Sequence, residues 1–379
     1  MKPFSRIVTF FLFFLTTVSY NYAQQRVRDY GIQIGVIPTG KHNAIIDVKG
    51  VKVGHVTIEK DDSVHTGVTA ILPHGGNIFQ EKVPAAIFVG NGFGKLAGST
   101  QIEELGTIET PIILTNTLNV GTAVEAVVKY TLQQKDNENV RSVNAVVGET
   151  NDGYLNDIRG MHVTHNEVLE AIETASEANT TEGSIGAGTG TICFGYKGGI
   201  GTSSRKLPGN LGGYTIGVMV QTNFGGVLQI AGINIGKKLG NFSFSNQLLN
   251  NVDGSCMVVV ATDAPLTDRN LKRLAKRAFM GLAKTGGIAS NGSGDYIIAF
   301  STSKQVRVPY KSIPLLKQEV VSNDYMSPLF MAAIEATEEA ILNSLFMGET
   351  TTGKDGRIIK ALPVPKVISI LKAHKLIEE

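Results

Sequence analysis

The sequence predicts one α/β domain, and three observations carry that expectation. Short, β-branched apolar runs bounded by Gly, Asn or Asp recur along the chain, as buried strands do. Amphipathic patterns of helical period fall between them. No linker longer than the polar GETTTGKDGR segment at 348–357 divides the 379 residues, so a single unit is expected rather than two independent domains.

Six runs read as strands: AAIFVGNG from Ala85, PIILTN from Pro111, NAVVGETND from Asn144, YTIGVMVQTN from Tyr214, CMVVVATDA from Cys256 and DYIIAFSTS from Asp295. Several end in a polar or Gly-rich turn, where functional groups collect. Three stretches read as helices. Thr267 to Lys284 places Leu271, Leu274, Ala278 and Leu282 on one face, with Thr267 as a candidate cap and Gly286 after the end. Ser327 and Pro328 open a second that runs to Gly348, and Asn166 to Ala178 forms a third.

Composition excludes several classes of function. Lys and Arg number 35 against 33 Asp and Glu, a net charge of +2, and no basic block is present. Neither nucleic acid nor an anionic membrane is an expected partner. The 43 glycines sit in short motifs, which implies tight turns and close backbone approaches. Residues 1–23 have the three-part form of an export signal: Lys2 and Arg6, an apolar run from Ile7 to Leu15, then small and polar residues to Ala23. Removal of that segment, no membrane attachment afterwards and a periplasmic or secreted location are expected. Only Cys193 and Cys256 are present, too few for a disulfide scaffold.

Several motifs fail on context. GAGTG at 186–190 and GNGFG at 90–94 lack the strand, glycine-loop and helix order of a dinucleotide site. His162 and His165 have ligand-like spacing but no Cys or acidic residue completes a set, so no metal is expected. Ser203 to Lys206 matches S-x-x-K and Lys284 to Gly286 matches K-T-G, yet Pro208 forbids the helix the first requires and the second closes a helix where a strand is needed.

Gly254-Ser255, set directly before the run CMVVVATDA, is different because a chemistry can be written for it. A serine hydroxyl is a weak nucleophile until a base sits beside it. Its own α-amine, with a pKa of about 7.7–8.0, is such a base, but only if the chain is cut before the serine. Attack of the Ser255 hydroxyl on the Gly254 carbonyl would turn amide into ester, and water would then release a new amino terminus. The same residues also read as a plain turn entering a strand.

The sequence around this site, and over nearly all the chain after the signal, resembles the self-processing aminopeptidases of the DmpA/BapA type, which include L-aminopeptidase/D-esterases and β-peptidyl aminopeptidases. The resemblance rests on RDYGIQIG, ELGTIETPIILTNT, GETNDGYLNDI, GAGTG, KGGIGTSSR, VQTNFGG, DGS with VVVATDAPL, SGD before IIAFST, and EEAILNSLF. It implies an αββα sandwich cut into an α chain, 24–254, and a β chain, 255–379, and commonly assembled as a homo-oligomer of αβ units. It implies no cofactor. Ser255 matches the nucleophile, Ser293 and Asp295 a serine and acidic residue beside it, and Asn223 an amide that holds the oxyanion. Glu149 matches a carboxylate that binds the substrate's free amine. Asn151 departs from relatives that place a tyrosine there. The implied substrates are small peptides, amides or esters with an L-, D- or β-amino acid at the amino end. A related amide-oligomer hydrolase or acyltransferase, or an exported binding protein with a dead site, remain as alternatives.

Overall fold

A computed structural model describes residues 24–244, 254–311 and 313–377. The expected export signal and the approach to Gly254, including Asp253, lie outside the described residues. Two sheets form the middle of the molecule. The larger runs in the order Ile200–Lys206, Thr215–Asn223, Gly254–Thr262, Ser293–Ser301, Glu81–Gly92 and Val308–Pro309, with Thr107–Ile108 also on Glu81–Gly92. The smaller runs Lys52–Lys60, Val64–Leu72, Ile112–Asn116, Val146–Thr150 and Leu96–Ala97.

Side chains alternate between the faces of a strand, and the Gly254–Thr262 strand is apolar on both. Met257 and Val259 point to the smaller sheet and meet Ile71, Ile112, Leu114 and Val146. Val258 and Val260 point the other way, onto the helices Asp268–Lys284 and Ser327–Phe346 through Leu274, Ala278, Ala336 and Ile341. On the far side of the smaller sheet, Val68, Ile113 and Val147 pack on Val120–Leu132 and His165–Glu173 through Ala126, Val127, Val168 and Ile172. The layers are therefore helix, sheet, sheet, helix. Six expected strands and three expected helices are present, with ends shifted by a few residues.

Several expectations need correction. Gly254 and Ser255 are the first two residues of the strand itself, and both are buried. Thr267 stands at the helix start in extended conformation, but its hydroxyl caps nothing. The 348–357 linker is folded: Thr351–Gly353 pairs with Arg357–Ile359. Gly353 lies so close to Leu155 that a Cβ there would come within 2.5 Å of the Leu155 carbonyl oxygen. The hairpin of Lys52–Lys60 and Val64–Leu72, the helix Val120–Leu132 and the strand Ile200–Lys206 were not expected. The last places S-x-x-K on a strand, consistent with setting that motif aside. Cys193 and Cys256 are both buried free thiols.

Candidate active site

Strand order brings the candidate residues together at one end of the sandwich. The Gly254–Thr262 strand lies between an antiparallel neighbour, on which Asn223 sits directly opposite Ser255, and a parallel neighbour, on which Gly294 does. Cross-strand partners share a face, so Ser255 and Asn223 both look toward the smaller sheet. Glu149 comes from that sheet, near the end of Val146–Thr150. All three, with Asn151 and Gly254, line a cleft of about 570 Å³. Gly254 sits in a close approach: a Cβ would lie 3.0 Å from the Phe224 Cα and 3.1 Å from the Asn223 carbonyl oxygen, tighter than most side chains accept.

Ser255 is only 4% exposed, and its hydroxyl donates to the carbonyl oxygen of Gly254 at 2.5 Å. The reactive oxygen is thus folded back on the bond it is expected to break. Asn223 is held at both ends of its amide: Oδ1 accepts from the Ile192 N–H at 2.9 Å, and Nδ2 donates to the Asn151 carbonyl at 3.0 Å. One N–H of Nδ2 remains for a ligand, and the amide cannot swing away. Asn151 itself folds its Oδ1 onto the Gly153 N–H at 2.9 Å, a local turn, so its backbone carbonyl is what positions Asn223. Behind it, Asp152 is fully buried, and burial pushes its carboxyl up to about 7 against the hydrogen bonds it accepts.

Glu149 is buried and oriented by two donors, the Lys95 N–H at 2.9 Å on Oε1 and the Thr117 hydroxyl on Oε2. Thr117 was not singled out from the sequence, although it ends the ELGTIETPIILTNT match. Nor was the aromatic lining of the cleft, Phe93, Tyr154, Phe194, Phe224 and Phe242, because those rings come from five separate segments. Phe194 and Phe224 meet edge to face at 5.1 Å between centroids.

Ser293 and Asp295 take the other side of the sheet, alternating with Ile297 toward the helices. Ser293 is the register partner of Gly254 and Asp295 that of Cys256, so the pair flanks the Gly254–Ser255 peptide. The Ser293 hydroxyl donates to Asp295 Oδ1 at 2.9 Å, whereas Oδ2 is buried with no partner among the described residues. Burial pushes the Asp295 carboxyl up to about 6, opposed by the Ser293 hydrogen bond. Neither side chain bonds to the Ser255 hydroxyl.

His162 and His165 are spent on carboxylates, Asp157 at 3.2 Å and Glu125 at 3.1 Å. Among the described residues no group of three or more His, Cys, Asp or Glu is placed to hold a metal ion. What the arrangement offers is a buried hydroxyl, an immobilised amide donor beside it, a carboxylate across the cleft and a second buried carboxyl, its pKa raised by burial, behind the peptide.

Comparison with known proteins gives that arrangement its class. The profile of Peptidase family S58 matches residues 43–359. The chain belongs to that family. It is a peptide-bond hydrolase, an aminopeptidase, of the Ntn-hydrolase fold type. It is similar to the β-peptidyl aminopeptidase BapA of Sphingosinicella microcystinivorans, 40% identical over 371 residues that cover 92% of each chain. A second BapA, from Sphingosinicella xenopeptidilytica, is 36% identical over 373 residues, covering 93% of this chain and 92% of that one. Among solved structures, one from Pyrococcus horikoshii OT3 superposes with a TM-score of 0.86 at 47% identity, covering 93% of this chain and 99% of that one. The L-aminopeptidase D-Ala-esterase/amidase of Ochrobactrum anthropi, described as a variant of the Ntn-hydrolase fold, gives 0.84 at 36% identity over 93% and 99%. The αββα architecture expected of the resemblance is the one described above.

Proposed function

We propose that the S58 aminopeptidase chain activates itself by cutting between Gly254 and Ser255 and then works through an acyl-enzyme on Ser255. The observation that carries this is the Ser255 hydroxyl lying on the Gly254 carbonyl at the mouth of a cleft that also holds Asn223 and Glu149. In processing, the hydroxyl oxygen bonds to the Gly254 carbonyl carbon and the C–N bond breaks, freeing the Ser255 amine. Water then splits the ester and leaves Gly254 as a carboxylate. In turnover, the same oxygen attacks the substrate carbonyl, the new amine takes the hydroxyl proton and returns it to the leaving amine or alcohol, and water then splits the ester, releasing the acid and restoring the Ser255 hydroxyl.

Ser293 and Asp295, flanking the scissile peptide rather than the hydroxyl, are suited to orient that amine and draw protons from it. Asn223 Nδ2 donates to the oxyanion. Glu149 binds the substrate's ammonium, which makes the enzyme read a free amino terminus. Substrates are small peptides, amides or esters. A β-amino acid at the amino end is favoured among the L, D and β options by the two relatives named β-peptidyl aminopeptidases. The 1–23 segment exports the chain to a periplasm or beyond, and the αβ units assemble as a homo-oligomer.

The decisive experiment is amino-terminal sequencing of the smaller fragment, together with hydrolysis of an aminoacyl p-nitroanilide panel that includes β-aminoacyl members. With Ala23 as the last signal residue, the fragments are 254 − 23 = 231 and 379 − 254 = 125 residues. A smaller fragment that begins elsewhere than Ser255 moves the active site and ends the proposal. Asn223→Ala is expected to process at least partly yet to lose about 10²–10³ in kcat, the cost of one oxyanion donor in a dry site. Glu149→Gln keeps the shape of the side chain and removes its charge. KM for amine-bearing substrates should rise roughly tenfold, with a smaller change in kcat. Equal KM values would remove Glu149 from amine recognition.

A further inference from the structure

A second cleft, of about 490 Å³, opens at the opposite pole of the sandwich. Asp263, one of its lining residues, directly follows the strand that begins at Gly254 and ends at Thr262. Eight steps of roughly 3.3 Å each put it about 26 Å from Ser255. It shares no lining residue with the catalytic cleft.

Its polar groups are unevenly spent. Asp263 Oδ1 accepts from the Thr215 N–H at 2.7 Å. Glu81 is engaged by Arg307, whose Nη1 donates to Oε2 at 2.6 Å. His74 accepts from the Gly76 N–H on Nδ1 and so donates from Nε2 to the Glu81 carbonyl at 2.8 Å, which makes the ring neutral. Burial first, and then the positive charges of Arg307 and Lys304, hold its pKa below the usual value. The charged donors left over are Lys49, Lys304 and Arg307. Lys49 and Lys304 line the cleft, and neither ammonium has an ion pair or hydrogen bond among the described residues. Arg307 has only 14% of its side chain exposed; Nη2 reaches the Thr302 carbonyl at 3.2 Å, and Nε is buried with no partner among the described residues. A guanidinium N–H stripped of water and left unbonded costs free energy that an acceptor entering the cleft would recover.

We propose that this cleft is a binding site for a small oxyanion, a phosphate or carboxylate group, received by the Arg307 Nε–H and the ammonium groups of Lys49 and Lys304. A guanidinium clamped by a carboxylate on one edge and a carbonyl on another holds its remaining N–H groups, Nε–H among them, in fixed directions, which is how arginine recognises planar and tetrahedral oxyanions.

Calorimetry of the full-length protein at low ionic strength tests this, with inorganic phosphate in one arm and succinate in the other. Saturable binding at one site per chain is expected in at least one arm, and the tighter arm identifies the source of the oxyanion. Lys304→Ala and, independently, Lys49→Ala should each weaken it about tenfold. Arg307→Lys keeps the charge but removes the Nε–H, and should weaken it as much. None of the three should change hydrolysis of an aminoacyl p-nitroanilide, which also reports that each variant is folded. No saturable binding in either arm, or variants that bind as tightly as the parent, overturns the proposal.

Discussion

Ser255→Ala is expected to remain one uncut chain and to hydrolyse nothing measurable. Both outcomes follow from the loss of a single oxygen. No ester can form on the Gly254 carbonyl without the hydroxyl, so the peptide persists and no α-amine is released. The fold should survive, because the hydroxyl's one hydrogen bond is to its own preceding carbonyl, worth about 1 kcal/mol, and alanine fills the same buried strand position. Intact mass checks that the chain is uncut, the p-nitroanilide panel that it is inactive, and circular dichroism that it is folded. The two losses need not have one cause, however, since a blocked cleft alone would also silence an uncut chain. Supplying the break independently separates them. Chains 24–254 and 255–379 made separately with Ser255→Ala and combined should still be inactive. Activity in that pair, or in the uncut single chain, would remove Ser255 from the chemistry.

Much of the frame was legible because the central strands are buried on both faces, so that composition alone marks them. MVVVA in the middle of the large sheet needs no alternation to be read. The strands that escaped notice are those whose polar residues are buried against distant partners. Arg205, in Ile200–Lys206, is fully buried, with Nε on Glu335 at 3.1 Å and Nη2 on Glu339 at 2.7 Å. Arg28 closes the same cluster on Glu339. Read locally, TSSRK is a surface turn, and nothing in those five residues tells of two glutamates about 130 positions away. The site divides the same way. Ser255, Asn223 and Glu149 were reachable through the motifs that carry them, and a plausible chemistry attached to each. Their arrangement was not, since it depends on strand register across the large sheet and on the spacing between two sheets. Thr117 shows the limit well: a threonine just past an apolar strand has no local mark of function, and only the fold reveals that its hydroxyl aims Glu149.

Asp295→Asn should trade activity for stability. The Asp295 carboxyl is raised from the ordinary 3.8 to about 6 because it is buried, with one oxygen on the Ser293 hydroxyl and the other unpartnered among the described residues. A carboxyl whose folded pKa lies above its unfolded one binds its proton more tightly in the folded state. Its contribution is therefore favourable below about pH 4 and is lost as pH rises from there through 6, leaving a penalty on the order of 2–3 kcal/mol at neutral pH. Asparagine has nearly the same shape, can still accept from Ser293 and carries no charge to bury. The variant should melt about a few degrees higher than the parent at pH 8, with the difference vanishing near pH 4. Turnover should move the other way. If Asp295 draws protons from the Ser255 amine, losing the carboxylate removes a positioned acid–base group, a change of about 10²–10⁴ in kcat/KM. The parent's activity should rise with pH along a limb that begins near 6, where Asp295 ionises, and continues through the titration of the amine at about 7.7–8.0. In Asp295→Asn only the later limb should remain. Should the variant keep both limbs and full rate, Asp295 serves the fold and not the reaction. Should it melt lower at pH 8, the carboxylate has a buried partner that offsets its charge, and the reading of Asp295 as an unpaired acid behind the Gly254–Ser255 peptide is wrong.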